Sequence, residues 1–148
     1  TVYNNITNQE NISKINKKNI ELMNDFLDYL ISTDRSKGTV NGYKNDLLIF
    51  FCWNLSENDN KYFIDLSKRE IAKFQKYAMT DWGWSTNRLS RVKSALSSMS
   101  NFIENILDDE EPDFRPIIRK VESPVKQTVR EKTIITDDEV QMIFIYQF

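Results

Sequence analysis

Small polar side chains recur at helical spacing between residues 85 and 101, and an arginine stands among them. At 100° per residue they share one face of a helix, and the opposite face is apolar. The polar face consists of Asn87, Ser90, Arg91, Ser94, Ser98 and Asn101. Small side chains let a helix backbone approach a partner closely. Asparagine and arginine carry the paired hydrogen-bonding groups that suit base edges and phosphates.

A solvated surface is the alternative explanation for this face. Solvated helix faces usually carry glutamate and lysine, which favour the helix, whereas serine and asparagine weaken it. The composition therefore favours contact with a nucleic-acid groove or another partner. The first turn of the same helix adds backbone N–H groups that can hold a phosphate. Its candidate contact residues are Ser85, Thr86, Asn87 and Arg88.

Two further groups of side chains are candidates for DNA contact, and the sequence leaves an alternative open for each. The first group opens the preceding long helix and consists of Lys37, Thr39, Asn41, Lys44 and Asn45. These residues suit a groove and suit a polar helix end equally well. The second group is a set of cations near the C terminus, Lys120, Lys126 and Arg130. Either these cations track the phosphate backbone of a duplex, or they belong to a disordered basic linker.

The charge of the chain is unevenly distributed. The formal net charge is −2, which by itself argues against a nucleic-acid partner. Residues 61–103, however, carry eight basic and three acidic side chains, whereas residues 104–113 carry six acidic side chains and no basic one. Contacts with phosphates depend on the local surface and not on the total. The distribution therefore permits DNA binding without proving it.

Several kinds of chemistry find no support in the sequence. The chain contains no histidine and a single cysteine, Cys52, so we expect no zinc site, no disulfide and no catalytic triad. It has no glycine-rich phosphate loop, and we expect no cofactor. The longest apolar run, Leu47–Trp53, is far too short for a membrane span. A lone cysteine fits an intracellular protein, and we expect a cytoplasmic location.

Four long helices are predicted to position these side chains. Their expected ranges are 18–32, 37–54, 67–81 and 85–107, with Ser36 and Ser85 as N-caps and a capping box formed by Ser67 and Glu70. The second half of the 37–54 helix is apolar on all sides, which predicts a central, buried helix. We expect Trp82 and Trp84 to anchor a turn. The predicted fold is an all-α bundle of four to five helices with an extended C-terminal linker.

The expected organisation has four segments. Residues 1–17 are predicted to be flexible, residues 18–111 to form the helical domain, and residues 112–133 to form a basic linker. Residues 134–148 contain another capping box, formed by Thr136 and Glu139, and we expect them to begin a second domain.

The predicted second helix resembles a motif of a known family. It reads Thr39-x-x-x-Tyr43-x-x-Asp46-Leu47-x-x-Phe50-x-x-Trp53, which is similar to the core-binding, SAM-like domain of tyrosine recombinases of the phage-integrase type. Ser85–Leu89 and Leu96–Ile103 resemble the other DNA-facing helix of that domain. Val129–Thr133 and Thr136–Val140 resemble the interdomain linker and the first turn of the catalytic domain.

This resemblance implies a role in DNA recombination. In this family the core-binding and catalytic domains clamp duplex DNA at an attachment site, and recombinase subunits assemble as a tetramer. The resemblance implies that the helices predicted to start at residues 37 and 85 face the major groove. The family's catalytic arginine, lysine, histidine and tyrosine lie in the second domain. We therefore expect this chain to bind double-stranded DNA without cleaving it. The sequence also allows a helical protein-interaction module or a helix-turn-helix regulator.

Overall fold

The computed structural model describes residues 2–125, and within this range it contains helices and no strand. The six α-helices are α1 (Val2–Ile6), α2 (Gln9–Lys14), α3 (Lys17–Ser32), α4 (Lys37–Glu57), α5 (Lys68–Thr80) and α6 (Thr86–Ile106). Two short 3-10 helices, Phe63–Asp65 and Ile118–Lys120, complete the regular structure. The prediction of an all-α bundle is confirmed. Lys126, Arg130 and the capping box at residue 136 lie outside the described residues.

Side-chain caps determine where the long helices begin. The hydroxyl of Ser36 accepts a hydrogen bond from the Thr39 N–H at 3.2 Å, and the hydroxyl of Ser85 accepts one from the Arg88 N–H at 3.2 Å. The capping box that opens α5 is also present. Each cap satisfies a backbone N–H that has no partner within the helix. The predicted starts of these helices are therefore confirmed.

Helix α4 is the centre of the bundle, as its sequence predicts. It packs against α1, α2, α3 and α6, and its residues 46–54 are buried without interruption. Phe50 has no exposed surface, and its ring centroid lies 4.9 Å from that of Phe74 and 5.8 Å from that of Trp53. The edge-to-face contact between Phe50 and Phe74 joins α4 to α5.

The turn between α5 and α6 is held by its two tryptophans. Gly83 lies between them with φ +68°, a backbone conformation that favours glycine. Trp84 is buried, and its backbone N–H donates to the Ala78 carbonyl at 3.0 Å. The Trp82 ring makes a tilted contact with Trp84 and an edge-to-face contact with Tyr77, with centroids 5.1 and 5.3 Å away. The prediction that these residues anchor the turn is confirmed, and they set the point where α6 begins.

The N-terminal segment differs from the flexible stretch expected from the sequence. It forms α1 and α2, which pack on α4. The side chain of Asn60 accepts a hydrogen bond from the Asn16 N–H at 2.9 Å and donates to the Lys14 carbonyl at 3.0 Å. Ile15 is buried beside these bonds. The order of this segment depends on Asn60, which lies more than 40 residues away in the sequence. No local sequence pattern therefore predicts it.

Helix α3 contributes one apolar face to the core. Met23, Phe26 and Leu30 are buried on this face, whereas Ile31, in the last turn, is 60% exposed. Asn19 is also buried, and its side-chain oxygen accepts a hydrogen bond from the backbone N–H of Phe63, in the loop before α5, at 2.7 Å.

The capping box of α5 leads to a prediction about pH. Burial raises the pKa of Glu70, but hydrogen bonds from Lys61 and Ser67 outweigh burial and hold that pKa below its usual value. Glu70→Gln is therefore expected to lower the free energy of unfolding by about 1 kcal/mol at neutral pH. The charged carboxylate stabilises the folded state above the ordinary glutamate pKa, and this contribution is lost as the pH falls through the lowered pKa.

Urea denaturation of wild type and variant, at neutral pH and at about pH 3, measures this difference. The two proteins should converge in acid. The exposed variant Glu21→Gln is the control, with an expected change within about 0.5 kcal/mol. A deficit of Glu70→Gln that persists undiminished in acid would contradict the assigned role.

Candidate nucleic-acid interface

The polar face predicted on α6 lies on the surface. We call it the polar stripe, and it consists of Asn87, Ser90, Arg91, Ser94, Ser98 and Asn101, all exposed except the half-buried Ser98. The opposite face, with Leu89, Leu96 and Ile103, is buried in the core. Two other serines of α6, Ser97 and Ser100, are buried and do not belong to the stripe. The stripe does not pack against the interior of the protein.

Helix α4 forms one border of the polar stripe. The Arg91 Nε lies 3.6 Å from the Asp46 Oδ1 of α4, and the Arg91 side chain remains 62% exposed. Burial raises the pKa of Asp46, and the charges of Arg91 and Arg88 oppose that effect without cancelling it. The buried carboxylate therefore holds a partly exposed arginine at the junction of two helices. The sequence suggested Arg91 as a contact residue but gave no sign of this partner.

The first turns of α4 continue this surface. The predicted contact residues Lys37, Thr39, Asn41, Lys44 and Asn45 are all exposed. Tyr43, within the same turns, lines a cleft of about 220 Å³ together with Ser98 and Asn101 of the stripe. The beginning of α4 therefore lies beside the middle and end of α6. Tyr43 and Asp46 are the residues of α4 that lie against the stripe, and the five predicted contact residues are exposed on the same turns of α4.

The residues at the start of α6 have structural roles as well. The hydroxyl of Ser85 is engaged as the N-cap, and Thr86 is half-buried. The guanidinium carbon of Arg88 lies 4.7 Å from the centroid of the Trp84 ring, which is a cation–π contact. This contact places the Arg88 charge beside the N-terminal end of the stripe. The tryptophan partner could not be identified from the sequence spacing alone.

Charge varies along the length of α6. Arg88 and Arg91 lie near its beginning, whereas Glu104 lies near its end and is followed by the exposed acidic turn Asp108–Glu110. A phosphate backbone is attracted to the first end and repelled from the second. The geometry therefore favours anion contact over the N-terminal two-thirds of the helix.

The chain that follows α6 forms the other border of the polar stripe. Ile118 is buried against α6, and Lys120, a predicted contact residue, is exposed beside it. Lys93 and Gln75, which no sequence pattern indicated, hold this segment.

Residues 2–125 contain neither a cluster of side chains suited to a metal ion nor a helix with the length and apolarity to cross a bilayer.

Comparison with known proteins identifies a distant relative. The chain is 25% identical over 133 residues to the SPbeta prophage-derived recombinase-like protein YomM of Bacillus subtilis (strain 168). The alignment covers 88% of this chain and 39% of that protein, so the chain spans about two fifths of the relative's length. No protein-family model matches the chain, and no solved structure matches it. Over most of its length, the chain is thus similar to a recombinase-like protein.

Proposed function

We propose that this chain is the DNA-binding, core-binding domain of a tyrosine recombinase of the prophage-integrase type, and that it grips duplex DNA at an attachment site. The observation that carries the proposal is the exposed polar stripe of α6, which α4 borders at Tyr43 and Asp46. The similarity to a prophage-derived recombinase-like protein supports it independently.

In the proposed complex, α6 lies in the major groove. An α-helix with its side chains is about 10–12 Å wide, and the major groove is about 12 Å wide. The serines of the stripe allow close approach, while Asn87 and Arg91 reach base edges or phosphates. Lys37 and Lys44 of α4 contact the phosphates alongside. The buried carboxylate of Asp46 keeps Arg91 in place while its guanidinium remains accessible.

The activity of the whole recombinase is part of the same proposal. A catalytic domain would cleave and rejoin strands through a phosphotyrosyl intermediate, and further subunits on the DNA would complete the synapse. The chain itself, which has no histidine, binds without cleaving. The proposed site of action is the bacterial cytoplasm, where the DNA is found.

Salt-dependent binding to duplex DNA tests the proposal. Fluorescence anisotropy with a labelled duplex of mixed sequence should show binding that weakens linearly on a log–log plot against salt concentration. Arg91→Ala should weaken binding by about 1–3 kcal/mol, or roughly 5- to 150-fold, and reduce the salt slope by about one if the guanidinium contacts a phosphate.

The control is Lys17→Ala, which removes an exposed cation from the start of α3, where the neighbouring Asn16 contacts Asn60 beyond the end of α4. It should bind like wild type. If the folded chain fails to bind DNA even at low salt but dimerises in light scattering, the proposal fails. A helical protein-interaction module would then explain the stripe.

A further inference from the structure

The chain after α6 turns back and runs along that helix toward its N-terminal end. Near the C-terminal end of α6, Arg115 shares a cleft of about 330 Å³ with Asn101. Nearer the N-terminal end, Ser123 shares a cleft of about 260 Å³ with Ser90 and Ser94. The segment therefore borders the polar stripe on the side away from α4.

A buried lysine holds this segment in place. Lys93 of α6 is only 6% exposed, and its ammonium group donates to the Val121 carbonyl at 2.8 Å and to the Ser123 hydroxyl at 2.9 Å. It also donates to the side-chain carbonyl of Gln75 on α5. The Gln75 amide in turn donates to the Glu122 carbonyl at 3.0 Å. One cation thus joins two helices to the segment.

The hydrogen bonding of the buried Lys93 ammonium group depends on the segment. All three acceptors are uncharged oxygens, and two of them belong to residues 121 and 123. A buried ammonium group without a carboxylate partner is costly unless each of its protons finds an acceptor. Burial accordingly lowers the pKa of Lys93. If the segment left, the ammonium group would exchange two of its three protein acceptors for water.

The docked segment also carries positive charge to the edge of the stripe. Arg119 and Lys120 are exposed in the 3-10 helix of the segment, while Ile118 of the same helix is buried. The buried isoleucine and the Lys93 hydrogen bonds restrict the positions available to these two cations. A fixed cation contacts a phosphate without losing as much conformational freedom as a mobile one.

We propose that Lys93 is a positioning residue, which pins residues 117–123 against α6 so that Arg119 and Lys120 contact the DNA backbone beside the polar stripe. The DNA contact rests on the proposed function, whereas the pinning of the segment does not. The docked segment also fixes the point beside the stripe from which the following chain continues.

Hydrogen–deuterium exchange of the whole chain tests the pinning. In Lys93→Met, the backbone amides of Lys120 and Val121, which donate to the Ile117 and Ile118 carbonyls, should exchange at least about tenfold faster than in wild type, because the segment detaches more often. The amides of α3 and α4 should be unchanged. The control Lys17→Met makes the same substitution at an exposed site and should not affect the segment. Equal exchange of the segment in wild type and Lys93→Met would overturn the proposal.

A thermodynamic cycle tests the DNA contact. Arg119→Ala/Lys120→Ala should reduce the salt slope of duplex binding by about two, and Lys93→Met should reproduce much of that loss. Adding Lys93→Met to the double variant should weaken binding by less than about twofold, because the cations that it positions are already gone. Fully additive losses would overturn the positioning role, and so would unchanged binding by Lys93→Met.

Two further results separate this inference from the proposed function. If wild type does not bind DNA, the proposed function and the cation contact both fail, and exchange alone then decides whether Lys93 pins the segment. If Lys93→Met does not fold, Ser123→Ala replaces it, since this change removes one acceptor at the end of the segment. It should raise exchange of the Lys120 and Val121 amides about threefold, and no change would overturn the proposal.

Discussion

Replacing Ser94 with glutamate is expected to weaken binding to duplex DNA at least about tenfold while the bundle stays folded. Ser94 is exposed in the middle of the polar stripe, one turn beyond Arg91. In the proposed complex, a carboxylate at this position would lie close to the negatively charged duplex, and like charges at close range cost several kcal/mol. Glutamate favours the helix more than serine does, so the free energy of unfolding should be unchanged or slightly higher. Anisotropy and urea denaturation measure the two quantities.

The matched control for Ser94→Glu is Ser56→Glu. Ser56 is also an exposed helical serine, but it lies in the last turn of α4, away from the polar turns that begin that helix. Screening at physiological salt acts over about 8 Å, so the distant charge should alter binding less than about twofold. Equal losses in the two variants would show that net charge and not the stripe governs binding. Wild-type affinity of Ser94→Glu would remove the middle of α6 from the interface.

Replacing Phe50 with alanine is expected to lower the free energy of unfolding by about 3–5 kcal/mol. Phe50 has no exposed surface, and its ring contacts those of Phe51, Trp53, Phe63 and Phe74 at centroid distances of 4.9–6.3 Å. Truncation leaves a cavity between α4 and α5 that packed neighbours cannot fill completely. Because a domain of this size is stable by only about 5–15 kcal/mol, the variant should be close to unfolding.

Urea denaturation followed by tryptophan fluorescence measures the loss at Phe50. Phe114→Ala is the matched control, because Phe114 is half-buried beside the core and its removal leaves a space that water can enter. We expect its cost to be less than half that of Phe50→Ala. Similar costs at the two sites would contradict the central position of Phe50 in the core.

The long helices were predictable because their signals are local. A cap at Ser36, Ser67 or Ser85 acts within three residues of its own position. The apolar faces repeat every three or four residues, and the structure places them in the core almost throughout. The exposed α6 stripe follows from the same periodicity, since the face opposite a buried one is turned to the surface. Whether that surface contacts DNA stays a prediction.

The interactions that join separate parts of the chain were not predictable in this way. Asp46 and Arg91 lie 45 positions apart, and Lys93 reaches acceptors 28 and 30 residues ahead of it. A lysine on a helix ordinarily suggests a solvated position, and residues 112–133 suggested only a linker. Burial of Lys93 depends on Gln75 and on the returning segment together, and neither alone satisfies its ammonium group.

The amino-acid sequence by itself determined the helical class, the starts of α4 to α6, the central place of α4 and the polar stripe. These properties depend on hydrogen bonds and side-chain periods that span only a few residues. Only the tertiary structure decided that α1 and α2 form on α4, that Asp46 holds Arg91, and that the segment after α6 folds back along it. These contacts close long loops, so they form only once the packed core has brought their partners together.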